Sequence, residues 1–125
     1  MGHRVTLDAF SGLPNPQWEL TEQESRLFDE VVANLEIHDV ESHQPPALGY
    51  RGFEVVDQAN GASARVYLDS VTRRSEGRVA QLYDRTCRLQ RLLIDSLRDQ
   101  VPADARLAAV IDVIETNRVD PESNR

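Results

Sequence analysis

Asn15, Trp18, Tyr50 and Arg51 are the residues whose types and settings best fit recognition chemistry. Asn15 lies between Pro14 and Pro16 in the string Ser11-Gly12-Leu13-Pro14-Asn15-Pro16-Gln17-Trp18. Leu13 and Asn15 each precede a proline and are pushed toward extended geometry, while Ser11-Gly12 can turn sharply. A segment built this way is stiff and has little entropy left to lose when it binds. Asn15 offers two donors and two acceptor lone pairs, and Trp18, the sole tryptophan, offers an aromatic plane. Gly49 and Gly52 flank Tyr50-Arg51. Glycines inside a strand mark a bulge or the close approach of another backbone, and Arg51 could clamp a carboxylate or stack on Trp18. A purely architectural role is open to the same residues: Trp18 buried over the first helix, Asn15 bonded to local backbone, Arg51 in a structural ion pair. The narrower expectation is that Trp18 anchors the loop and leaves Asn15 and Arg51 available to a partner.

The remaining reactive side chains are less suggestive. Asp8, Asp57 and Asp69 fall on three expected strands; converging carboxylates could do acid–base work, but turn-initiating aspartates are commoner. His38-Asp39-Val40-Glu41-Ser42-His43 mixes imidazoles with carboxylates, yet the spacing fits no defined metal motif. No metal ligand and no cofactor are expected, and His3 reads as surface decoration. Cys87, the single cysteine, excludes an intrachain disulfide and reads as a small buried residue. Glycine-rich phosphate loops and nucleophile elbows are absent, so no catalytic residue is assigned. Arginines 73, 74, 78, 85, 88, 91 and 98 crowd one segment. They read as a solvated helix face paired with Asp84 and Asp95, or as a face for an acidic protein or peptide.

Two strings resemble a recurring pattern. Asp8-Ala9-Phe10-Ser11-Gly12-Leu13-Pro14-Asn15-Pro16-Gln17-Trp18-Glu19-Leu20 is similar to the form D-x-F-S-G-x-P-N-P-x-W-x-L of small, uncharacterised microbial proteins, and Leu48-Gly49-Tyr50-Arg51-Gly52-Phe53 resembles their second block. The resemblance carries no activity and assigns no residue a role.

The elements that would position these residues follow from periodicity. Residues 4–10 alternate as a first strand. Thr21 and Glu24 have capping-box spacing, and Leu27, Phe28, Val31, Val32 and Leu35 form the stripe of a helix over 22–35. Residues 49–58 and 64–70 read as a hairpin around Asn60-Gly61. Val79, Leu82, Tyr83, Thr86, Leu89, Leu93 and Leu97 suggest a helix over 75–99, and Pro102 precedes a third with the stripe Leu107, Val110, Ile111, Ile114. The expected fold is α+β, in the order β-α-β-β-α-α: a small three-stranded sheet with helices packed on one face. Residues 1–117 would form one domain and 118–125 a polar, disordered tail.

Bulk composition narrows the function. The chain has 125 residues, 40% of them hydrophobic and 28% charged, with a formal net charge of −7 from 21 acidic and 14 basic groups. This is a globular composition of single-domain size. The negative balance disfavours general nucleic-acid binding. No apolar run reaches bilayer length and no leader is evident, so a cytoplasmic protein is expected. The function expected is a non-enzymatic binding or accessory module for a protein or peptide partner, using loop 11–18 and the adjacent strand. Two alternatives stand beside it. One is a small hydrolase or lyase with a site near Asp8, Asn15, Trp18, Tyr50 and Arg51. The other is a homodimer covering an open sheet face or the 79–97 stripe.

Overall fold

The computed structural model describes residues 2–9, 15–37, 51–102 and 105–116. Tyr50, the histidines of 38–43, residues 11–14 of loop 11–18 and the tail lie outside these. A seven-stranded antiparallel sheet carries three helices. The strands are β1 (His3–Leu7), β2 (Gln17–Glu19), β3 (Glu36–Ile37), β4 (Phe53–Asp57), β5 (Ser63–Tyr67), β6 (Ser70–Ser75) and β7 (Arg78–Tyr83). The helices are α1 (Glu22–Ala33), α2 (Arg88–Gln100) and α3 (Ala105–Thr116). In space the strands run β2-β1-β4-β5-β6-β7-β3.

The small three-stranded sheet is therefore overturned, although the chain is α+β. The main correction lies in 70–83, whose second half was expected to open the helix over 75–99. Two short strands occupy it, because Val71 and Leu82 face each other across a hairpin and send alternate side chains to opposite faces. Glu76 and Gly77 turn that hairpin with φ of 51° and 76°, the left-handed pair a tight two-residue turn needs. Helix structure begins only at Arg88. The turn between β5 and β6 carries no glycine: Leu68 itself takes φ 55°, and its N–H donates to the buried Gln90 Oε1 at 3.0 Å.

Other expectations hold. α1 starts with Thr21 at its N-cap, and both halves of the capping box form: Glu24 N–H to Thr21 Oγ1 at 3.1 Å and Thr21 N–H to Glu24 Oε1 at 2.8 Å. β4 and β5 form the antiparallel hairpin, and β1 borders it. On the helix side the register aligns Val5 with Val55, Leu7 with Phe53, Phe53 with Val66, Val66 with Val71 and Val71 with Leu82. These side chains join Phe28, Leu89, Leu93, Leu97, Leu107, Ile111 and Ile114 in one core. The leucine stripe offered to a second copy is thus consumed internally. Across the sheet, Gln17, Thr6, Glu54, Arg65, Thr72 and Gln81 lie in register on the opposite, polar face.

Candidate functional site

Trp18 is drawn into the fold. It sits on β2 opposite Val5, is buried, stands edge-on to Phe53, and donates Nε1–H to Ser96 Oγ at 2.9 Å. Ser96 Oγ in turn donates to Glu24 Oε1 at 3.0 Å. One hydroxyl thus ties the β2 edge, the start of α1 and the middle of α2 together. Asn15 uses its Oδ1 to accept the Ala9 N–H at 3.1 Å. Arg51 donates from Nε and Nη2 to Asp8 Oδ1 at 3.2 and 2.7 Å, and its backbone N–H bonds Asp8 O at 2.7 Å. Arg65 reaches Asp8 Oδ2 and Glu54 Oε2, both at 3.1 Å. Asn15 and Arg51 therefore meet on either side of Asp8-Ala9, while Trp18 faces the core.

The three aspartates do not converge. Asp8 belongs to the arginine node just past Leu7, whereas Asp57 pairs with His3 at the opposite end of the β1–β4 ladder. Asp69 lies in the β5–β6 turn, its backbone carbonyl accepting the Asp84 N–H. Asp84, expected to pair with surface arginines, is buried and accepts the Leu89 N–H at 2.8 Å. It thereby caps α2, whose N-cap residue, Cys87, gives no side-chain cap. Cys87 is buried, as its residue type suggested.

Two features escaped sequence reasoning. The first centres on His3, which is buried rather than exposed. Its Nε2 lies 2.9 Å from Asp29 Oδ1 of α1 and 3.9 Å from Asp57 Oδ2 of β4. Its ring packs against Phe28 with centroids 5.4 Å apart, and its Nδ1 is buried with no hydrogen-bond partner among the described residues. A cavity of about 240 Å³ adjoins these groups, floored by Phe28, Val32, Val55 and Ala64 and edged by Arg73. Alternation along β1 places His3 on the face of Val5 and Leu7, which was the available signal; Asp29 and Asp57 are remote in sequence and gave none.

The second feature is the β6–β7 hairpin. Among the described residues β3 pairs with Leu82 and Tyr83 alone, and the outer side of Arg78–Ala80 has no strand partner. Val79 is 59% exposed there. Arg73, Arg74 and Arg78 are exposed on the same hairpin, and none makes an ion pair among the described residues.

No protein-family model, no curated protein and no solved structure matches the chain. Among the described residues no helix is long and apolar enough to cross a membrane.

Proposed function

We propose that this chain is a binding module that takes up an extended acidic peptide segment of a partner protein along the outer edge of β7. The observation that carries the reading is the outer side of Arg78–Ala80, which has no strand partner among the described residues and is set in a hairpin with three exposed arginines that make no ion pair among those residues. An open strand edge offers a row of backbone donors and acceptors, and a peptide strand that adds to it gains main-chain hydrogen bonds. Side chains of an added strand alternate between the two faces of the sheet. The register puts Arg74 and Val79 on the polar face and Arg73 on the other, so carboxylates on either side of the peptide meet a guanidinium. In a chain of net charge −7 such a basic edge is a local exception, and it favours encounter with acidic segments over other parts of the surface. The cytoplasm is the compartment we take for this module, in keeping with a single, buried cysteine.

The test is fluorescence polarisation with a labelled peptide of alternating valine and glutamate, beside the same peptide N-methylated at every second residue. Binding that is weakened by salt, lost on N-methylation and weakened about tenfold or more by Arg74→Glu with Arg78→Glu is expected. Equal binding of the N-methylated peptide, or no binding of either, overturns the reading.

A further inference from the structure

We infer that His3, Asp29 and Asp57 form a binding site for a divalent transition-metal cation, zinc foremost, at the mouth of the cavity between α1 and the β1–β4 ladder. The three ligand atoms, one imidazole nitrogen and two carboxylate oxygens, all lie within 4.8 Å of one another. Around a four-coordinate zinc with bonds of about 2.0–2.2 Å, ligand atoms stand roughly 3.4 Å apart. The 2.9 Å separation from Asp29 would open by about half an ångström and the 3.9 Å separation from Asp57 close by as much. The site has a rigid part and an adjustable part. The His3 side chain is 5% exposed, whereas that of Asp57 is 24% and that of Asp29 63% exposed. The carboxylates can therefore move to the ion while the imidazole stays fixed by Phe28.

A mixed imidazole and carboxylate set suits zinc and its neighbours better than calcium, which takes six to eight oxygens. Three protein ligands leave a coordination position open, and the adjoining cavity has room for a water or an anionic group there. Arg73 on the cavity edge has a charge suited to that anion.

The buried, unpartnered Nδ1 bears on both the state without metal and the strength of binding. In a neutral ring without a metal, the 2.9 Å contact to Asp29 fits the tautomer with its proton on Nε2, which leaves Nδ1 only a lone pair. With a metal on Nε2 the ring proton must sit on Nδ1, where no acceptor waits among the described residues. Histidine ligands normally donate from that second nitrogen, and loss of such a partner weakens binding by about 10–100-fold. The affinity expected is therefore micromolar, which allows exchange.

The experiment is calorimetric titration of the full chain with zinc chloride and, separately, manganese chloride, with thermal melts at each metal level. Wild type should bind one zinc ion and melt at rising temperature as zinc is added. Asp29→Asn, an exposed change that keeps the fold, and Asp57→Asn should each abolish the rise. The double variant His38→Ala with His43→Ala should keep it, and nitrogen-15 spectra should show the His3 Nε2 resonance shifting with metal. No heat and no melting shift with either metal overturns the site. So does binding that survives both aspartate variants, or that disappears with the His38 and His43 changes instead.

Discussion

Ser96→Ala tests whether the tryptophan edge is held by one buried hydroxyl. Ser96 is fully buried and lies between the Trp18 indole and the Glu24 carboxylate at 2.9 and 3.0 Å. Alanine removes a single oxygen, so little cavity forms. What changes is that the Trp18 N–H, on a residue only 7% exposed, loses its acceptor. A buried donor left unmade costs about 1–3 kcal/mol. Glu24 keeps the Thr21 N–H and the Gln100 amide, so its loss is small, and the sum is about 2 kcal/mol. For 125 residues the unfolding entropy is about 0.26 kcal/mol/K, which makes this a fall of about 8 °C in Tm. Urea unfolding followed by circular dichroism measures the effect in wild type and in a Trp18→Phe background. Without an indole there is no donor to strand, and Ser96→Ala should then cost under about 1 kcal/mol. Equal costs in both backgrounds, or a cost below about 0.5 kcal/mol in wild type, refute the argument.

Gly52→Ala should destabilise by about 3 kcal/mol, since a Cβ there meets Val66 O at 2.7 Å and φ is +112°. Gly61→Ala, with φ +75° and nothing within 4 Å, should lose only about 1 kcal/mol in the same chemical denaturation series. Asp84→Ala removes the acceptor for the Leu89 N–H and should cost about 1–2 kcal/mol, with faster amide exchange confined to the first turn of α2; unchanged exchange there contradicts the capping role. Asp8→Asn weakens the node with Arg51 and Arg65, whose side chains are 41% and 36% exposed. Solvent screening limits the loss to about 1 kcal/mol, and thermal melts in low and high salt should show the difference from wild type shrinking as salt rises.

The sequence spelled out elements wherever its signal was local. The capping box at Thr21 and Glu24, the Asn60-Gly61 turn and the α3 stripe each lie within one element and appear where expected. It was opaque where two periodicities overlap. Val79, Leu82 and Tyr83 satisfy helical spacing, yet they belong to a strand of six residues, too short for period alone to decide. Gly77, which falls inside the helix expected over 75–99, is half of a hairpin turn. The Leu68 turn was illegible because its left-handed backbone is held by Gln90, a residue twenty-two positions away. The same division holds at the sites. Arg51 finds a carboxylate, as a guanidinium between glycines suggested. Asn15 bonds local backbone. The His3 cluster depends on three elements that only the sheet brings together.

The strand order carries a consequence for how the chain acquires its shape. β4 to β7 are joined one to the next by short turns, so their pairing closes only small loops. β1 sits inside the sheet between β2 and β4, and its pairing with β4 joins residues about fifty apart. Loop-closure entropy makes such remote contacts the slower ones. The meander of β4 to β7 is thus the natural nucleus, and the β1–β2 pair is the piece that docks onto it. The chain's one indole rides on that late piece, so tryptophan fluorescence should lag the far-ultraviolet dichroism signal during refolding.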